Sequence, residues 1–64
     1  VKNNIKELRK KQGMRQEDLA DAVGVSRQTI VAIENDKYNP TLELAMKIAR
    51  LFHKHVEEIF FLSK

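Results

Sequence analysis

An all-α domain of five short helices is what this 64-residue sequence predicts, and three observations carry the prediction. Apolar residues recur at three- and four-residue spacing over most of the chain. Turn chemistry interrupts them at Gly13, at Gly24, from Asn35 to Pro40 and from His53 to His55. Residues that cap helices stand just ahead of three apolar runs: Asn3 or Asn4, then Ser26, then Thr41. No internal repeat or low-complexity stretch divides the chain, so one domain over 1–64 is expected. A chain of this length buries only about 60% of its unfolded surface, close to the lower limit for folding without help. With no cysteine, neither a disulfide nor a thiolate metal site can staple it, and a partner subunit is the expected support. The absence of cysteine fits a reducing cytoplasm. No apolar run reaches membrane-spanning length, and no secretory signal pattern opens the sequence.

The first helix is read over Val1–Lys11, with Ile5 and Leu8 as its apolar stripe. Glu7 lies three residues beyond Asn4, which is capping-box spacing, and Gly13 closes the helix as a left-handed residue. Arg9, Lys10 and Lys11 fall in its last turn, where cations complement the helix dipole. The second helix is read over Gln16–Val23 and the third over Arg27–Glu34. Met14 and Leu19 have staple spacing at the start of the second, whereas Arg15, at its cap position, has no acceptor to offer the helix N–H groups; Glu17 and Asp18 offset this through the dipole. A fourth helix runs over Leu42–Leu51, with Leu42, Ala45, Ile48, Ala49 and Phe52 at helical spacing and Leu44, Met46 and Leu51 widening the arc. A short fifth helix follows over Val56–Phe60. Phe60, Phe61 and Leu62 are too apolar for a frayed tail, and a short extended segment is allowed for there.

The stretch from Gln16 to Glu34 organises the rest. Leu19, Ala20, Val23, Val25, Ile30 and Ile33 face inward, and Gly24 supplies the positive φ that a tight turn between two helices needs. Arg27, Gln28, Val31 and Ala32 then form one outer stripe on the second of these helices. Two long donor side chains beside two small apolar ones suit the edges of base pairs in a major groove. Arg27 pairs bidentately with guanine, Gln28 with adenine, and Val31 or Ala32 meets a thymine methyl. The formal charge of +3 suits an anionic partner only modestly, but its distribution says more. Lys2, Lys6, Arg9, Lys10, Lys11, Arg15, Arg27 and Lys37 all fall in or beside the first three helices.

This pattern resembles the Cro/C1-type (xenobiotic-response-element) family of helix-turn-helix regulators. The resemblance lies in Gln16, Leu19, Ala20, Val23, Gly24, Val25, Ser26, Ile30, Ile33 and Glu34. It extends to Arg9 and Gly13 before the motif, to Asn35 and Lys37 after it, and to Pro40, Thr41, Leu42, Ile48, Ala49 and Phe52 beyond. It implies a lambda-repressor-like fold of five helices that binds double-stranded DNA as a transcriptional regulator, expected to be a repressor acting as a homodimer on a palindromic operator. The resemblance also places Gln16 at a helix N-terminus aimed at a phosphate, Asn35 and Lys37 on the DNA backbone, and a salt bridge between Arg9 and Glu34. Where members usually carry Ser or Thr before that glutamine, this chain has Arg15, itself a phosphate candidate along with the Ser26 and Thr29 hydroxyls. The alternative class is a small antitoxin-like or accessory module whose main partner is another protein.

Other chemistry is not expected. His53 and His55, two residues apart with no third histidine, make a poor metal site. Ser26, Ser63 and the two histidines include no nucleophile elbow, and no glycine-rich phosphate loop is present, so neither an enzyme nor a cofactor nor a small-molecule substrate is read here. The aromatics are not interleaved with the basic residues as a single-strand binder requires. Tyr38 and the phenylalanines are read as core or interface. Three adjacent large apolar residues at the end of so small a domain place a dimer interface at Phe60, Phe61 and Leu62.

Overall fold

A computed structural model describes residues 1–62; Ser63 lies outside the described residues. The order of elements is β1 (Lys2–Asn3), α1 (Ile5–Lys11), α2 (Gln16–Val23), α3 (Arg27–Glu34), α4 (Leu42–Leu51), α5 (Val56–Ile59) and β2 (Phe60–Phe61). Helix positions agree with the spacing argument for α2, α3 and α4. Five helices enclose one apolar cluster built from Ile5, Leu19, Ile30, Ile33, Ile48, Phe52 and Ile59, with Ala20 and Ala49 as the small residues that permit close approach.

The extended segment expected at the C-terminal end is present as β2, but the first helix does not begin where expected. Lys2 and Asn3 do not begin a helix; they pair antiparallel with Phe61 and Phe60. Asn4 donates its backbone N–H to the Ile59 carbonyl at 3.1 Å, extending the ladder by one residue. A strand-bound backbone cannot also be helical, so α1 starts at Ile5 and α5 stops at Ile59. The Asn4 side chain makes no cap bond. Its Nδ2 donates instead to the Glu58 carbonyl at 3.2 Å. Asn3 takes over at the start of α1, where its Oδ1 accepts from the Ile5 N–H at 3.1 Å. Glu7 has no part in either bond.

Two apolar residues of α4 lie on the other side from that expected. The helix buries Leu44, Ala45, Ile48 and Ala49, with Phe52 following at its end. That stripe leaves Leu42 (73% exposed) and Met46 facing outward, one turn apart. Tyr38 is exposed as well, and Leu62 does not fold back: it is 85% exposed.

Each of α1 to α4 closes in the same way. A residue with positive φ follows the helix: Gly13, Gly24, Asp36 and His53. The next residue then donates its N–H back to the last turn: Met14 to the Arg9 carbonyl, Val25 to Ala20, Lys37 to Ala32 and Lys54 to Ala49. Two of the four positions are not glycine, and a side-chain-bearing residue held left-handed is strained by Cβ contact with its own backbone. Asp36 has compensation, since its carboxylate accepts from the Val1 nitrogen at 2.9 Å. His53 is exposed, and its side chain has no hydrogen-bond partner among the described residues. Replacing His53 by Gly is therefore expected to stabilise the fold by about 0.5–1 kcal/mol, the relief of strain being partly offset by a more flexible unfolded chain. Urea denaturation of the two proteins checks this.

Candidate nucleic-acid interface

The turn between α2 and α3 follows from local chemistry. Gly24 takes φ 77° and lets the chain reverse within three residues. Ser26 then caps α3, its Oγ accepting from the Thr29 N–H at 3.2 Å and lying 3.0 Å from the Thr29 hydroxyl. Ile30 and Ile33 sink into the core. With the inner face fixed, helical geometry sends Arg27 and Gln28 outward, where both are exposed. Val31 and Ala32 lie on the same stripe but are half-buried, so they offer methyl surface rather than protruding side chains.

Around the N-terminus of α2 the chain gathers charge. A shallow cleft is lined by Arg9, Met14, Arg15, Gln16, Glu17 and Arg27. Arg15, the uncapped start of α2, donates its backbone N–H to Asp18 Oδ2 at 2.9 Å, which is the reciprocal half of a capping box. Its guanidinium also reaches both oxygens of Asp18, at 3.2 and 3.3 Å. Those side-chain hydrogen bonds, with the backbone bond second, hold the Asp18 carboxyl below the usual carboxylate range. The stabilisation they give is present above the ordinary carboxylate pKa and is lost as pH falls through the lowered one. At the other end of α3, Asn35 and Lys37 are exposed, and no carboxylate among the described residues pairs with Lys37.

Behind this surface lies a charged cluster that is almost closed to solvent. Arg9 is 7% exposed. Its Nε donates to Glu34 Oε2 at 2.8 Å and its Nη2 to Glu34 Oε1 at 3.2 Å. The remaining Nη1 donates to the Met14 carbonyl at 2.9 Å. Gln16 Nε2 also donates to Glu34 Oε1, at 3.1 Å. The Arg9–Glu34 pair thus ties α1, the loop before α2, the first residue of α2 and the last residue of α3. Sequence spacing did not reveal that Gln16 and the Met14 carbonyl belong to this cluster: Gln16 lies 18 residues from Glu34, and a bond to a backbone carbonyl leaves no mark in residue type. Gln16 keeps a second amide hydrogen and, as the first residue of α2, a backbone N–H that no helical carbonyl can accept. Among the described residues no cluster of His, Asp and Glu has the arrangement of a metal site. Nor is any described helix long and apolar enough to cross a membrane.

Comparison with known proteins agrees with this geometry. A helix-turn-helix family model matches residues 5–59. The chain belongs to the Cro/C1-type helix-turn-helix family. An HTH-type transcriptional regulator of Archaeoglobus fulgidus is 53% identical over 60 residues, covering 94% of this chain and 86% of its own length. The regulator YgzD of Bacillus subtilis is 47% identical over 64 residues, covering 100% of this chain and 97% of its own. Among solved structures, the restriction-modification controller protein C.AhdI of Aeromonas hydrophila superposes with a TM-score of 0.79 at 30% identity, covering 88% of this chain and 85% of that one. This Cro/C1-type chain is a transcriptional regulator with a helix-turn-helix DNA-binding domain.

Proposed function

We propose that this Cro/C1-type domain represses transcription by occupying a palindromic operator as a homodimer in the cytoplasm. The observation that carries the reading is the outer stripe of α3. Arg27 and Gln28 project from it beside the methyl surface of Val31 and Ala32, and polar or basic groups flank both ends of the helix. In this reading Arg27 and Gln28 take base edges. Arg15, Gln16 and the hydroxyls of Ser26 and Thr29 meet phosphates on one side, and Asn35 and Lys37 on the other. Repression is supported by similarity to the transcriptional repressor RstR of a cryptic phage in Vibrio cholerae, 30% identical over 57 residues and matched over 51% of its length. Two copies joined at the tail of Phe60, Phe61 and Leu62, of which Phe60 packs on its own core and the other two are exposed, would set their recognition helices about 34 Å apart, one turn of duplex.

Selecting bound duplexes from a random pool tests site, symmetry and half-site spacing together. Gln28→Ala is expected to weaken the best site by roughly 1–3 kcal/mol and to relax one base-pair position in each half-site. Lys37→Ala is expected to weaken all duplexes about equally and to flatten the salt dependence by about one charge per subunit. A selected motif unchanged by Gln28→Ala would remove α3 from the role of reader. A chain that retards no duplex without a second polypeptide would favour the accessory-module alternative.

A further inference from the structure

The recognition helix is held at its C-terminal end by a group outside the helix-turn-helix. Asn3 Nδ2 donates to the Ile33 carbonyl at 2.9 Å. That carbonyl also accepts from the Asp36 N–H at 3.0 Å, so Asn3 occupies its second acceptor site. Asn3 lies in β1 opposite Phe60 of β2, and its Oδ1 accepts from the Ile5 N–H. One half-buried amide therefore joins the paired chain ends, the first turn of α1 and the last turn of α3. Helix α3 has only eight residues, so whatever holds its ends sets its tilt. Base-edge hydrogen bonds tolerate little misplacement, which makes that tilt part of the reading of sequence.

We propose that Asn3 is a positioning residue for DNA recognition: its amide donor fixes the end of α3 against the clasp of β1 and β2, and operator specificity depends on that bond. The proposal rests on the reading of α3 as the DNA-reading helix. The competing role, a cap for α1 alone, uses the other half of the same side chain. Asn3→Asp separates the two. Aspartate keeps the shape and an acceptor for Ile5, and adds favourable charge at a helix N-terminus. It has no donor, and it sets a carboxylate oxygen against the Ile33 carbonyl. Asn3→Ala loses the donor without adding charge.

The experiment compares the wild-type chain with both variants, each below its melting temperature. Fluorescence anisotropy measures binding to the duplex selected by the wild type and to an unrelated duplex of equal length. Amide exchange is followed at Asn35, Asp36 and Lys37, whose N–H groups close α3. We expect both variants to lose about tenfold in the ratio of operator to unrelated affinity, since the bond enters once per subunit. Exchange at the end of α3 should quicken in both, while exchange in α4 rises no more than the melting temperatures dictate. An unchanged ratio with unchanged exchange at Asn35–Lys37 would overturn the proposal and leave Asn3 as a cap for α1. So would equal losses on both duplexes, because a loosened fold would produce them. If the wild type preferred no duplex, the DNA-reading function would fail first, and the exchange result alone would still decide whether Asn3 holds α3.

Discussion

Replacing Arg9 by Met is expected to destabilise the domain by about 3–5 kcal/mol. The methionine fills much of the space of the arginine stem but leaves the Glu34 carboxylate enclosed, with Gln16 as its one remaining side-chain partner among the described residues. An exposed pair would cost far less, at most about 1 kcal/mol, because water would replace the lost partner. Here the side chains of both ions are less than a tenth exposed, at 8% and 3%. The loss is expected to be a cost of stranding one charge rather than of losing the pair as such. A double variant, Arg9→Met with Glu34→Leu, is therefore expected to recover most of the stability. Urea denaturation of the two single variants and the double variant measures the coupling. A coupling below about 0.5 kcal/mol would show that solvent relaxes around the site and that the cluster contributes little. Since Glu34 ends α3, the proposed reading helix, and Gln16 begins α2, Arg9→Met is also expected to weaken DNA binding at temperatures where the variant is still folded.

Phe61→Asp is expected to convert a dimer into a monomer. Strand alternation turns Phe60 toward the core and leaves Phe61, at 41% exposure, facing out, while Leu62, past the end of β2, is exposed beside it. Each large apolar side chain covered in both copies contributes about 1.5–3 kcal/mol, so two or three per subunit are enough to hold a small dimer together. A carboxylate at the same position would have to be desolvated against the twin carboxylate of the partner copy. Sedimentation of the intact chain should report a dimer at micromolar concentration, and the variant a monomer with weaker operator binding. An intact chain that stays monomeric well above micromolar concentration would rule out a stable interface at this tail. The outward Leu42 and Met46 of α4 show that exposed apolar surface is not confined to the tail, so the single substitution is the sharper test.

The elements that carry function were legible because their determinants are local. Helical spacing placed α2 and α3, Gly24 marked the turn between them, and Ser26 and Thr41 gave the starts of α3 and α4 through bonds that span only three residues. The outer stripe of Arg27, Gln28, Val31 and Ala32 followed directly, since a helix with one face buried has its other face fixed. Spacing could not settle the face of α4, because Leu42 and Leu44 are equally apolar and only the neighbouring helices decide which is covered. The clasp between Lys2–Asn3 and Phe60–Phe61 was out of reach for a similar reason. Two-residue strands have no periodicity to read, and their partners are nearly the whole chain apart. By itself the sequence determined the helix-turn-helix, the outer stripe of α3 and the family. Tertiary structure alone decided where the chain ends pair, which side of α4 meets water, and that Asn3 and Gln16 join the Arg9–Glu34 pair at the end of α3. Each of those outcomes depends on contacts between residues far apart in the chain, formed only once the core has closed.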